Sequence, residues 1–232
     1  MHFFLPVIQL MTFLFAIKPK TKAIVFVNYG GIPCDLGELN KIKKKYKVTL
    51  IQDAAQSLGS KYRNKNITDY ADFSIFSFQA IKHISSGDGG MLTFKNKKLL
   101  DKSRRIRWFG IDRVKKQGGT WENDITEIGY KYQMTDIGAR MLLDSMNDFS
   151  KILTHRKKIF GIYKKILSKN NKLTFLDTKS KDLSNSFWLC TIIVHKKRIE
   201  LQNYLRNLNI ETNQVHFRND RCSIFKKFIK KG

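Results

Sequence analysis

The run Ser-Phe-Gln-Ala-Ile-Lys-His-Ile-Ser-Ser-Gly-Asp-Gly-Gly at residues 77–90 constrains the fold of this chain more than any other segment. It places Lys82 between the hydroxyl of Ser77 and a glycine-rich turn. Upstream, Asp53 directly follows the mostly apolar segment 48–52. Short apolar segments bounded by turn residues are typical of buried parallel strands, and ligands of open α/β sheets bind where such strands end. The spacing therefore predicts an α/β domain with a site at the strand ends.

Pyridoxal phosphate is the cofactor whose chemistry these residue types favour. A lysine such as Lys82 supplies the amine that forms an imine with the cofactor's aldehyde. A carboxylate such as Asp53 favours the protonated pyridine ring, which accepts electrons from a carbanion. The Ser77 hydroxyl and the backbone N–H groups of the turn offer donors to the phosphate. Each residue alone has a plainer interpretation, because a lysine before a glycine turn is usually solvated and Asp53 suits a helix N-cap.

Five sequence blocks follow one another in an order that narrows these alternatives. They are Pro-Lys-Thr-Lys-Ala-Ile-Val-Phe-Val-Asn-Tyr-Gly-Gly (19–31), Asp-Ala-Ala-Gln-Ser-Leu-Gly (53–59), the segment 72–90, Arg-Trp-Phe-Gly (107–110) and Gly-Tyr-Lys-Tyr-Gln-Met-Thr-Asp-Ile (129–137). In this order the blocks resemble those of the DegT-type sugar aminotransferases, a family of pyridoxal-phosphate enzymes of fold type I. The resemblance extends from about Lys18 almost to the end of the chain.

The resemblance implies an α/β architecture of fold type I. We expect residues 18–149 to form a partial cofactor-binding large domain with a mixed, mostly parallel sheet. Residues 150–232 are expected to form a smaller, partial α+β C-terminal domain. Residues 1–17 are an apolar start that the resemblance does not cover, whereas family members begin with helices and a glycine-rich segment that hold the other side of the cofactor. The chain is therefore expected to be truncated at both ends.

The resemblance also implies a role for each candidate site residue. Lys82 would form the imine with pyridoxal 5'-phosphate and would carry the proton during catalysis. Asp53 would pair with the pyridinium nitrogen, and Gln56 would lie near the ring and its hydroxyl group. Ser77 would bind the phosphate. Lys131 stands where the family usually has an Asn that reaches the phosphate of the neighbouring subunit's cofactor.

Two positions need separate comment within this resemblance. Sugar dehydratases of a sister branch carry His where the imine-forming lysine would stand, whereas here His83 follows Lys82 and does not replace it. The family usually has Gly-Tyr-Asn-Tyr where this chain has Gly-Tyr-Lys-Tyr at 129–132. Lys131 would meet a phosphate as a point charge, and the alternative is that it simply faces water.

The implied function is a pyridoxal-phosphate aminotransferase that acts on nucleotide-linked keto sugars in amino-sugar and polysaccharide biosynthesis, here as a fragment. The expected partners are a nucleotide sugar, an amino-acid donor such as glutamate, and a second subunit in a homodimer. The alternative is a non-catalytic remnant of such an enzyme with no working cofactor pocket. His216 and Arg218 are further candidates for contact with an anionic nucleotide sugar, with structural roles as the alternative.

The charge of the chain is strongly positive, with 44 Lys and Arg against 19 Asp and Glu and a formal net charge of +25. Such a charge is typical of proteins that bind nucleic acid or an anionic membrane. Most of the basic residues are lysines, however, and specific nucleic-acid sites depend on the bidentate contacts of arginine. No zinc-finger, basic-zipper or ribonucleoprotein motif is present. We therefore interpret the charge as a lysine-biased composition and expect no nucleic-acid partner.

Cysteine usage and the apolar start indicate a cytoplasmic protein without a metal. The cysteines at 34, 190 and 222 have neither metal-ligand spacing nor an even number for pairing. The apolar run 3–17 lacks the basic residues and cleavage site of a signal peptide, and it is shorter than a membrane span. We expect no membrane association, with a weak membrane anchor as the alternative.

Hydrophobic periodicity predicts the elements that carry these residues. Strands are predicted at 23–27, 48–52, 73–78, 90–94, 187–194 and 210–215. Helices are predicted from Asp35, whose capping box includes Glu38, and over residues 135–149, 150–167 and 198–208. Apolar residues of the 135–149 helix recur at helical spacing, which indicates core or dimer packing.

Overall fold

The computed structural model describes residues 16–119, 124–177, 180–216 and 221–228. The chain divides into two compact units. The first contains the chain up to Gly161 together with Asp177–Leu189, and the second contains Ile162–Leu176 and the chain from Cys190 onward. The first unit therefore runs beyond the sequence-based boundary at residue 149 and includes a segment that returns to it later in the sequence.

The described residues contain nine strands and six α-helices. The strands are β1 (Ala23–Val27), β2 (Thr49–Asp53), β3 (Lys61–Tyr62), β4 (Lys65–Asn66), β5 (Phe73–Ser77), β6 (Gly90–Phe94), β7 (Leu173–Phe175), β8 (Leu183–Ser184) and β9 (Ile192–Val194). The helices are α1 (Leu36–Tyr46), α2 (Leu100–Arg107), α3 (Arg113–Gln117), α4 (Asp136–Asn147), α5 (Phe149–Leu167) and α6 (Arg198–Asn207). Short 3-10 turns connect several of them.

A four-stranded sheet with the order β1-β2-β5-β6 forms the centre of the first unit. The strands β1, β2 and β5 are parallel, and β6 pairs with β5 in the antiparallel direction. The predicted α/β class with a mixed, mostly parallel sheet is therefore confirmed. A second, smaller sheet has the order β4-β3-β8.

Helix α1 connects β1 to β2 and begins where the capping box predicts. The Asp35 side chain accepts a hydrogen bond from the backbone N–H of Glu38 at 3.0 Å, which satisfies one of the unpaired N–H groups of the first turn. Leu36, Leu39 and Ile42 form the buried face of the helix. This apolar face, rather than intrinsic helix propensity, holds α1 in place.

The two faces of the sheet differ in burial. One face carries buried residues from neighbouring strands, among them Phe26, Leu50 and Phe76. Alternate residues point to opposite faces of a strand, so the other face carries Val25, which is 61% exposed, and Ile75, which is 45% exposed. Of the candidate site residues, Asp53 and Ser77 lie on this second, open face.

Helix α4 presents most of its apolar side chains to the surface of the first unit. The hydroxyl of Thr135 caps the helix by accepting a hydrogen bond from the N–H of Gly138 at 3.1 Å. Leu142 is buried in the core, whereas Ile137 is 77% exposed and Met146 is 55% exposed. Of the two interpretations of the helical periodicity, core packing therefore applies to Leu142 but not to the exposed positions.

The strand predicted at 187–194 is wrong for its first half. Only Ile192–Val194 is a strand, and it pairs with β7 in the second unit. Phe187 has a left-handed φ of 54° that a continuous strand does not allow, and the backbone around it bonds to a distant turn instead. The predicted strand at 210–215 is also wrong, because this segment is irregular.

Some predictions fall on residues outside the described ranges. These are the apolar start up to residue 15 and the candidate Arg218. His216 is described and is exposed. Across the described ranges, no helix combines the length and the apolar character needed to cross a bilayer.

Candidate active site

The parallel strands bring Asp53 and Ser77 to the same edge and the same face of the sheet. In the strand register, Val27 pairs with Asp53 and Asp53 pairs with Ile75. Ser77 follows Ile75 by two residues and closes β5, so its side chain projects from the face that also carries Asp53. Both polar groups therefore lie at the carboxyl edge of the sheet, where α/β folds bind ligands.

Lys82 lies in the turn that follows β5 and is within electrostatic reach of Asp53. The Lys82 side chain is partly buried. Burial lowers the pKa of Lys82, and the carboxylate of Asp53 opposes this effect without cancelling it. The amine and the carboxylate are distant in sequence, and the fold brings them close enough to interact electrostatically.

The turn that carries Lys82 is anchored by its own backbone and by two buried side chains. The N–H of Phe78 donates to the carbonyl of Gly89 at 2.9 Å, and the N–H of Ser86 donates to the carbonyl of Phe78 at 2.9 Å. Phe78 and Ile84 are buried in the core on either side of Lys82. The lysine thus projects from a backbone whose position is fixed at both ends.

Gln56 connects the Asp53 loop to the turn after β1. Its Oε1 accepts a hydrogen bond from the N–H of Gly30 at 2.7 Å. The carboxylate of Asp53 accepts a hydrogen bond from the N–H of Ala55 at 3.0 Å, which orients the carboxylate within its loop. Because the side-chain Oε1 of Gln56 already accepts a hydrogen bond from Gly30, the side-chain Nε2 is the group that remains to donate to a ligand.

Sequence reasoning missed the returning segment 185–189, which joins three loops of the site. The N–H of Ser186 donates to the carbonyl of Gly31 at 3.1 Å, and its hydroxyl donates to the carbonyl of Gln56 at 3.3 Å. Gly31 has a φ of 98°, and a Cβ there would lie 2.6 Å from the Ser186 hydroxyl oxygen. The close approach therefore requires glycine at position 31.

The same segment also holds the residues on either side of Lys82. The Nε2–H of His83 donates to the carbonyl of Ser186 at 2.8 Å, and the indole N–H of Trp188 donates to the carbonyl of Ile81 at 3.1 Å. The ring of Trp188 lies against Lys82, with the lysine Nζ 4.1 Å from the ring centroid. The run Asn-Ser-Phe-Trp at 185–188 was the feature of the sequence that could have indicated this loop, but the apolar residues after it favoured a strand.

His83 is a buried imidazole that is neutral near pH 7 and bonds to the returning segment. Burial lowers its pKa to about 4, the hydrogen bond to Ser186 raises it by less, and the charges of Arg156 and Lys82 lower it further. Arg156 donates from Nη1 to the carbonyl of Trp188 at 3.0 Å. Burial also lowers the pKa of Arg156. The hydrogen bond from His83 fixes the returning segment, and His83 occupies the position directly after Lys82 without taking its place.

Lys131 belongs to a different group from the other four candidates. It pairs with Trp108 in an isolated β-bridge, and its ammonium lies 3.7 Å from the Trp108 ring centroid. Arg113 contacts the same ring, with its guanidinium carbon 4.9 Å from the centroid. The structure thus brings together Lys82, Asp53 and the loops of Gln56 and Ser77. It places the exposed Lys131 in a separate cluster with the half-buried Trp108 and Arg113.

The chemistry of the donor set fits pyridoxal phosphate. Lys82 offers a partly buried amine with a lowered pKa, and Asp53 offers a carboxylate oriented at a strand end. Ser77 offers a hydroxyl on the same face of the sheet as Asp53, next to the backbone N–H groups of the glycine-rich turn. An amine, an acid and a hydroxyl are the groups that this cofactor requires.

Comparison with known proteins finds a family model and relatives that match most of this chain. The model of the DegT/DnrJ/EryC1/StrS aminotransferase family matches residues 8–230. The uncharacterized protein MJ1066 of Methanocaldococcus jannaschii is 34% identical over 211 residues, covering 87% of this chain and 54% of that protein. GDP-perosamine synthase of Escherichia coli O157:H7 is 34% identical over 203 residues, covering 87% of this chain and 53% of that protein. The chain thus spans about half the length of these curated relatives.

A solved structure is similar to this chain in its fold. The sugar aminotransferase CalS13 from Micromonospora echinospora superposes with a TM-score of 0.85 and 27% sequence identity. The superposition covers 94% of this chain and 60% of CalS13. The predicted fold is therefore confirmed at the level of its three-dimensional architecture.

Proposed function

The chain belongs to the DegT/DnrJ/EryC1/StrS aminotransferase family. We propose that it forms the part of a nucleotide-sugar aminotransferase active site that contains Lys82. Aminotransferases of this family depend on pyridoxal phosphate. The observation that carries the proposal is the partly buried amine of Lys82 within electrostatic reach of Asp53 at the carboxyl edge of the sheet.

Each residue has a role that its surroundings support. Bound pyridoxal phosphate would supply an aldehyde and an electron-accepting ring. Lys82 provides the amine for that aldehyde and moves protons at Nζ, and its lowered pKa increases the fraction of neutral amine available as a base. Asp53 provides negative charge for the ring nitrogen. Ser77 would donate its hydroxyl to the phosphate, and Gln56 would lie near the ring with its side-chain N–H groups available to the cofactor.

The substrate class that we propose is a keto sugar linked to a nucleotide. The support is the similarity to GDP-perosamine synthase of Escherichia coli O157:H7 and to a UDP-4-amino-4,6-dideoxy-N-acetyl-beta-L-altrosamine transaminase of Campylobacter jejuni, 35% identical over 164 residues. The amino group would come from an amino acid, for which we propose glutamate. The product would serve amino-sugar and polysaccharide biosynthesis. We propose the cytoplasm as the location, because the cysteines are thiols rather than a disulfide pair.

A homodimer is the assembly that we propose for the intact enzyme. Its support is the exposed apolar side of α4, where Ile137 is 77% exposed and Met141 is 48% exposed. Large contiguous apolar patches on a protein surface mark sites of interaction with other proteins or with membranes. Lys131 would then direct its charge to a cofactor phosphate bound by the second subunit.

A non-catalytic remnant is the second candidate, and one observation favours it. Mostly parallel sheets are normally covered on both faces, yet Val25 and Ile75 are 61% and 45% exposed on the open face of this sheet. A site that needs further protein on this face would bind the cofactor weakly in the chain alone. The remnant therefore predicts little or no cofactor binding.

An absorbance titration of the purified chain with pyridoxal phosphate distinguishes the two candidates. The aminotransferase proposal predicts a saturable imine absorption band that is lost in Lys82→Ala and kept in a control variant of an exposed lysine, Lys97→Ala. A band that persists in Lys82→Ala would rule out the lysine assignment. Absence of any band in the folded wild-type chain would favour the remnant.

A further inference from the structure

The side chain of Lys82 rests on an aromatic face in the described structure. Its Nζ lies 4.1 Å from the centroid of the Trp188 ring, well inside the distance at which a cation is attracted by an aromatic quadrupole. Tryptophan is the strongest of the aromatic side chains in this interaction. Among the described residues, Lys82 forms no direct ion pair, and Asp53 acts on it at longer range.

The ring of Trp188 is itself held in place from two directions. Its indole N–H donates to the carbonyl of Ile81 at 3.1 Å. Ile81 is the residue directly before Lys82. The carbonyl of Trp188 accepts a hydrogen bond from Arg156 at 3.0 Å. The hydrogen bond to Ile81 therefore links the position of the ring to the backbone of the Lys82 turn.

We propose that Trp188 is a positioning residue for Lys82 and holds its protonated amine at the site when that amine is not bonded to the cofactor. This inference rests on the proposed function. A transaminating lysine must be released from the cofactor and must then move a proton at the same place. Lysine has a long, flexible side chain, and a fixed aromatic face keeps its Nζ within reach of the reacting atoms.

The first test uses fluorine NMR on the full chain without cofactor. A fluorinated tryptophan is incorporated at position 188 alone, and its resonance is followed as the pH is raised through the pKa of Lys82. The inference predicts that the resonance shifts as the lysine loses its proton and that the shift disappears in Lys82→Met, whose side chain is of similar length but uncharged. A resonance that does not titrate, or that titrates equally in Lys82→Met, would overturn the inference.

The second test measures the attraction itself. Tryptophans with increasing numbers of fluorines at position 188 keep the shape of the ring while they weaken its negative face. The inference predicts that the pKa of Lys82, measured from the pH dependence of amine labelling and peptide mass spectrometry, falls stepwise by about 0.5 unit or more in total. A packing role would leave this pKa unchanged across the series, and that result would contradict the inference.

These tests separate the inference from the function on which it rests. Reaction of the chain with pyridoxal phosphate, followed by borohydride reduction, reports the function through a pyridoxyl group on Lys82. A modified Lys82 with no effect of ring fluorination would refute the role of Trp188 alone. A clear effect of fluorination without any modification of Lys82 would refute the proposed function while leaving the contact between Lys82 and Trp188 intact.

Discussion

Acidification should destabilise this fold through one buried side chain, His83. The imidazole is 5% exposed and donates its Nε2–H to the carbonyl of Ser186. Its pKa is lowered from 6.5 to about 4, first by burial and then by the charges of Arg156 and Lys82. The unfolded chain therefore takes up a proton at His83 before the folded chain does.

The sign and the size of the effect follow from these two values. A depressed pKa in the folded state stabilises the fold fully above 6.5, and this stability is lost as the pH falls toward about 4. Each pKa unit corresponds to about 1.4 kcal/mol, so the full effect on the free energy of unfolding is about 3 kcal/mol. Between about pH 7.5 and about pH 5 the loss is about 2 kcal/mol.

Urea unfolding followed by circular dichroism measures this loss at a series of pH values. The matched variant is His83→Gln, because glutamine keeps a donor for the Ser186 carbonyl but cannot take up a proton. The exposed His155 and His195 are present in both proteins and cancel in the comparison. We expect the wild type to lose about 2 kcal/mol more than the variant over this range. If the free energy of unfolding changed with pH in the same way in both proteins, His83 would not be the group whose protonation destabilises the fold.

Two further predictions concern the core and the returning segment. Leu50→Ala should lower the free energy of unfolding by about 2–5 kcal/mol, because Leu50 is fully buried in the strand β2. The control Leu143→Ala, at an exposed position, should change it by less than about 0.5 kcal/mol. Equal effects of the two substitutions in urea unfolding would contradict the assigned core. Gly31→Ala should destabilise the chain and increase amide exchange at Ser186, because the new Cβ would lie 2.6 Å from the Ser186 hydroxyl oxygen in a backbone with φ of 98°. Unchanged exchange at Ser186 would show that the two loops do not meet as described.

The elements around the site were predictable because their signals are local. The apolar run 23–27 matches β1, and the run 73–78 matches β5 to within one residue. The capping box at Asp35 marked the start of α1, because a side-chain acceptor there compensates the unpaired N–H groups of the first turn. The strand-end positions of Asp53 and Ser77 followed from these elements.

The connections between loops were not predictable, because they join residues far apart in the sequence. Ser186 bonds to Gly31 and to Gln56, and no local pattern encodes either contact. The apolar residues around Phe187 favour a strand, and nothing in them indicates that Phe187 adopts a left-handed φ and forms a loop. The contact of Trp188 with Lys82 depends on this loop and was missed for the same reason.

The central claim is that Lys82 bonds to pyridoxal phosphate opposite Asp53. Its most direct measurement is borohydride reduction of the full chain with pyridoxal phosphate, followed by peptide mass spectrometry that locates the pyridoxyl group. We expect modification concentrated on Lys82 and strongly reduced in Asp53→Asn. Modification spread evenly over the exposed lysines, with Lys82 not preferred and Asp53→Asn without effect, would contradict it.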